Sequence, residues 1–64
     1  MWTGIGITSD QLCEEIDERL EADKNGKDKD RYQIYPETDG YTLDELVKIG
    51  SNIVGFNLYY FNTH

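Results

Sequence analysis

Seven carboxylates crowd the first 23 residues: Asp10, Glu14, Glu15, Asp17, Glu18, Glu21 and Asp23, against the single base Arg19. Carboxylates do chemistry in three ways: paired in a pocket as acid and base, converged on a cation, or ranked along a surface as fixed negative charge. The first needs a pocket that shifts a pKa, and a chain of 64 residues seldom encloses one. The second has one superficial match, the run DKNGKDKD from Asp23 to Asp30. Read as a calcium loop from Asp23, it places Lys27 at the fifth position, Asp28 where glycine is needed and Ile34 where a closing glutamate is needed. A lysine in the ligand ring repels the cation, so no metal is expected. The third use remains, and Asp10, Glu14, Glu15, Asp17, Glu18 and Glu21 are the candidate binding residues.

Other reactive groups are few. Cys13 has no second cysteine to pair with, which excludes an intramolecular disulfide and a cysteine-based metal site. It sits beside an apolar stripe and reads as a small core residue. His64 is the last residue given and has no evident orienting partner. Gly4-Ile5-Gly6 is a fragment of a dinucleotide fingerprint, but Ser9 stands where the third glycine belongs. It reads as a bulge or close approach in an edge strand. No enzyme activity and no cofactor are expected.

These groups must be positioned by short elements. Thr8 and Gln11 have the spacing of a capping box, with Ile7 and Leu12 placed as a hydrophobic staple. Leu12, Ile16 and Leu20 recur every fourth residue, predicting an amphipathic helix over about 9–23 that Asn25-Gly26 closes. Thr42-Leu43-Asp44-Glu45 is a second capping box, stapled by Tyr41 and Leu46, and Gly50-Ser51-Asn52 makes a stop. Three strands are expected: Trp2 to Ile7, Arg31 to Tyr35 ended by Pro36, and Ile53 to Phe61. The expected fold is a single α+β domain over 1–64, a two-layer β-α-β-α-β unit with two amphipathic helices on one face of a three-stranded sheet. The last strand carries aromatics on both faces, so Tyr59, Tyr60 and Phe61 are candidate interface residues, and a homodimer would cover them.

Along the chain the net charge of −7 divides unevenly: −6 over residues 1–23, +2 over 24–31 and −3 over 32–64. A basic DNA binder is thereby excluded, and direct nucleic-acid binding would work against repulsion. No apolar run approaches a membrane span, and no secretory signal is read, so a cytoplasmic protein is expected. Carboxylates three and four apart on a helix lie ~5–6 Å from each other, which lets a rigid row imitate a phosphate backbone. The plainer alternative is a solvated face that keeps a small protein soluble.

In size, charge and lack of catalytic residues the chain resembles the small acidic proteins that phages and other mobile elements make to inhibit host proteins. That resemblance implies a DNA-mimicking inhibitor. Its partner would be a basic DNA-binding host protein, such as a histone-like protein, a polymerase, a repair glycosylase or a nuclease. The alternative expectation is an interaction module acting through its aromatic carboxy-terminal strand.

Overall fold

Two capping boxes set the architecture. The computed structural model describes residues 3–53. The Gln11 amide donates to the Thr8 hydroxyl at 3.2 Å, and the Thr8 amide donates to Gln11 Oε1 at 2.8 Å, opening helix α1, Ser9–Lys24. Thr42 and Glu45 repeat the arrangement at 3.2 and 2.9 Å and open helix α2, Leu43–Ser51. Each box satisfies amides that a helix start would otherwise leave without partners. Both helices begin where the capping residues predict, and α1 ends one residue later than expected.

The end of α1 is a Schellman closure. Gly26, at φ +81°, donates its amide to the Asp23 carbonyl at 3.1 Å, and the Lys27 amide reaches back to Ala22 at 2.9 Å. The connection then turns at Asp28, whose side chain accepts from the Asp30 amide at 3.0 Å. A single 3₁₀ turn, Pro36–Thr38, precedes Gly40 and α2.

The core is helix against helix. Ile7, Leu12, Ile16, Leu43 and Leu46 form one buried cluster, with Ile5, Cys13, Tyr35, Tyr41, Val47, Ile49 and Ile53 packed around it. The two staple pairs, Ile7 with Leu12 and Tyr41 with Leu46, all belong to it. Leu20 departs from expectation, lying 39% exposed. Each four-residue step overshoots a full turn by about 40°, so a stripe stepped only in fours drifts off the core. Its place is taken by Arg19 and Ala22, both buried.

The expected three-stranded sheet is overturned: the described residues form a small two-helix domain without a β-strand. Thr3 to Ile7 closes on itself instead of extending, the Thr3 amide and hydroxyl both donating to the Ile7 carbonyl at 3.0 Å, with Gly4 and Gly6 at φ +90° and +94°. At Arg31 to Tyr35 a strand fails for want of a neighbouring strand. The amides of Ile34 and Tyr35 both donate to the carboxylate of Glu15, so the ladder donors are already spent. The third expected strand, Ile53 to Phe61, lies outside the described residues apart from Ile53. No helix among the described residues is long and apolar enough to cross a membrane.

Candidate functional site

The acidic face of α1 and a buried clamp beneath it are two products of the same helix. Asp10, Glu14, Asp17, Glu18 and Glu21 are all exposed. Asp10, Glu14, Asp17 and Glu21 follow the spacing i, i+4, i+7, i+11, which keeps them on one line along the helix. That line lies opposite the face formed by Leu12, Glu15, Ile16 and Arg19, all of which are buried. The row runs about 16 Å along the axis. Including Glu18 it presents about one carboxylate per 4 Å, near the ~3.4 Å axial spacing of charge along one DNA strand. Asp23 is exposed too, but it falls off this line.

Glu15 does not belong to the surface, in contrast to its place among the candidate binding residues. Its side chain is fully buried and its carboxylate is occupied throughout. Oε2 accepts from Arg19 Nε at 3.0 Å, while Oε1 accepts from the amides of Ile34 and Tyr35 at 3.1 and 3.0 Å. The Thr38 hydroxyl lies 2.9 Å from the same oxygen and 2.7 Å from the Tyr35 carbonyl, its one proton able to serve either. The Arg19 guanidinium then spreads over carbonyls, Tyr41 at 2.6 Å and Lys29 and Thr38 at 3.3 Å each. No described buried side-chain nitrogen or oxygen lacks a hydrogen-bond partner. Two side chains of one helix thus hold the connection from Lys29 to Tyr41 against α1.

The spacing did carry a signal for this pair. Leu12, Glu15, Ile16 and Arg19 follow the i, i+3, i+4, i+7 pattern of an inward helix face, with two opposite charges standing where apolar residues are usual. Counting acids by segment hides that pattern, because Glu15 then looks like one more member of a charged surface.

The clamp also brings a tyrosine to the acidic row. With its amide fixed on Glu15, half-buried Tyr35 places its phenol to donate to the Glu14 carboxylate. That hydrogen bond, followed by burial and by the charge of Glu14, holds the phenol pKa above the usual tyrosine range. On the flank of the row sits Cys13, half-buried. Burial, and after it the charges of Asp17 and Asp10, raise its thiol pKa and keep it a thiol at neutral pH.

Other places offer less chemistry. A shallow depression of about 310 Å³ is lined by Tyr41, Glu45, Lys48, Ile49 and Asn52, and Glu45 is already committed to the Thr42 amide. Among the described residues no group of three histidine, cysteine, aspartate or glutamate side chains could hold a metal ion. In the calcium-like run, Asp28 serves the Asp30 amide and pairs with Arg31 at 3.5 Å, while Asp30 accepts from the Leu43 amide at 3.0 Å. The candidate interface residues Tyr59, Tyr60 and Phe61 lie outside the described residues, as does His64. Compared with protein-family models, with curated proteins and with solved structures, the chain has no match.

Proposed function

We propose that the exposed row Asp10, Glu14, Asp17, Glu18 and Glu21 is an electrostatic binding surface that occupies the nucleic-acid-binding site of a basic protein. The chain then acts as a small inhibitory DNA mimic of the kind mobile elements direct against their hosts. The observation that carries this reading is the sorting of charge on α1. The one buried acid is matched by the one buried base, while four of the exposed acids, Asp10, Glu14, Asp17 and Glu21, align on a single face turned away from the core, with Glu18 beside them. A helix that needed charge only for solubility would gain more from mixed signs, since like charges at i, i+4 oppose the helix. Steering by such a row makes association fast and strongly dependent on salt.

The test uses the intact chain as bait on a lysate, eluted with a salt gradient, followed by competition of the captured protein against duplex DNA. Capture that is lost well below ~0.5 M salt, where charges more than ~5 Å apart are largely screened, and that duplex DNA displaces, supports the reading. The variant pairing Glu18→Gln with Glu21→Gln should lose capture while keeping its helical signal. Glu14 is spared in that variant because Tyr35 is bonded to it. Capture that survives both the salt and the substitutions would instead assign binding to an apolar surface.

A further inference from the structure

We propose that Asn25-Gly26 is a spontaneous modification site, at which the folded protein converts slowly to aspartate and isoaspartate as the carboxy-terminal cap of α1 opens. Of the asparagines in the chain, Asn25 alone precedes glycine; Asn52, Asn57 and Asn62 precede Ile53, Leu58 and Thr63. A following glycine matters because the reaction is an attack by the next backbone nitrogen on the asparagine side chain, which a side chain on that next residue obstructs. Both Asn25 and Gly26 are exposed, and a Cβ placed at Gly26 would meet nothing within 4 Å. Room for the reacting groups is therefore present on the solvent side.

What holds the reaction back is the cap. The attacking Gly26 amide is tied to the Asp23 carbonyl at 3.1 Å. The departing Asn25 Nδ2 donates to the Glu21 carbonyl at 3.0 Å. Asn25 itself sits at φ −92° and ψ 11°, a torsion at which the five-membered ring cannot close. Opening the last turn of α1 frees all three, and helix ends open far more readily than cores.

The step balances without an oxidant or reductant. The Gly26 nitrogen bonds to Asn25 Cγ, the Cγ–Nδ2 bond breaks, and the Nδ2 group leaves as ammonia with the proton from the Gly26 amide. Water then opens the cyclic imide. Addition at Cγ restores a normal backbone with aspartate, and addition at the main-chain carbonyl routes the backbone through Cγ as isoaspartate. Either product loses the side-chain donor to Glu21 and sets a carboxylate at the negative end of the helix dipole. The last turn of α1, which carries Glu21 and Asp23, is left weaker, so the change is a one-way clock on this end of the helix. The inference stands independently of the binding role proposed for the acidic row.

The full chain is incubated at mildly alkaline pH, folded and in parallel in concentrated urea, then digested and mapped by mass spectrometry with an isoaspartate-specific methyltransferase assay. Asn25 should convert ahead of every other asparagine. Conversion in the folded chain should be roughly 30-fold slower than in urea, the factor set by breaking two hydrogen bonds of ordinary net strength. Asn25→Gln, which keeps an amide but requires a slower six-membered ring, should abolish the signal. The proposal is overturned if Asn25 stays intact in the folded chain after the unfolded control has converted, if another asparagine leads, or if the folded and unfolded rates are equal.

Discussion

Arg19 Nε stands 3.0 Å from Glu15 Oε2, with both side chains sealed from solvent, and together they hold the connection between the helices from Lys29 to Tyr41. Replacing one member of such a pair strands a buried charge and costs about 3–5 kcal/mol. A domain of this size has little more than ~5 kcal/mol in total. Arg19→Met is therefore expected to leave most of the chain unfolded, read as loss of helical circular dichroism. Replacing Glu15 and Arg19 together by apolar residues should recover part of that loss, since no charge is stranded. Full recovery is not expected, because the Ile34 and Tyr35 amides would still lack their acceptor.

Thr38 and Thr42 make a matched comparison. Thr42 caps α2 at an exposed site, and Thr42→Ala should cost about 1 kcal/mol, the usual worth of a threonine cap. Thr38 is fully buried and its hydroxyl faces Glu15, Arg19 and the Tyr35 carbonyl. Thr38→Val keeps the shape but removes the hydroxyl from that network, a loss of about 1–3 kcal/mol. Urea denaturation of the two variants should rank Thr38→Val as the more damaging. The opposite ranking would mean that the Glu15 network contributes less than a surface cap.

Thr42 and Tyr35 also mark what was legible in the sequence and what was not. Each capping box is written within four consecutive positions, Thr8 to Gln11 and Thr42 to Glu45, so local chemistry alone sets the helix starts. Residues 31–35 have strand-like composition, and Tyr35 does adopt an extended backbone at φ −119° and ψ 129°. What makes a strand, though, is the partner of its amides, and here that partner is a side chain 19 and 20 positions earlier. No reading of local propensity reports such a partner. The acidic row, Glu15 apart, was legible for the complementary reason: a helix repeats every 3.6 residues whatever it packs against.

Tyr35 gives the pH dependence. Its phenol pKa is raised in the folded state, first by the hydrogen bond to Glu14, so folding favours the protonated form. Between the unfolded and folded pKa values the native state binds more protons, and stability falls as pH rises. The contribution is complete below the ordinary tyrosine pKa of ~10 and is lost as pH climbs through the raised value. Tyr35→Phe should remove this alkaline loss, as followed by thermal melts across alkaline pH. A profile identical to the native one would mean that Glu14 and Tyr35 do not interact in solution.

Cys13 tests the electrostatics of the same helix from inside. Its thiol pKa is raised by burial first and by Asp17 and Asp10 second, so less of it is thiolate at a given pH. Alkylation of the folded chain should be slower than that of a free cysteine, and urea should remove most of the difference. Asp17→Asn and Asp10→Asn should each speed alkylation modestly without reaching the rate in urea, because burial remains. An acceleration by either aspartate variant that matches urea would reverse the order of the two causes.

The acidic row should reveal its cost through salt. Glu14 with Glu18, Asp17 with Glu21, and Glu18 with Glu21 are like-charged neighbours on one exposed face, each opposing the helix by a few tenths of a kcal/mol. Glu18→Gln combined with Glu21→Gln removes all three pairings and should raise the stability of the domain by about 1 kcal/mol at low ionic strength. Added salt should stabilise the native chain more than the variant, closing the gap as screening shortens to the distance between neighbouring carboxylates. The clamp is untouched by both changes, because Glu15 and Arg19 point the other way. A variant that is both firmer and unable to capture a basic partner would separate the two roles of α1, its buried face holding the fold and its exposed face spending stability on binding. A variant that is less stable than the native chain would instead place these acids among the contacts that hold the fold, and remove the argument from repulsion on which the binding reading leans.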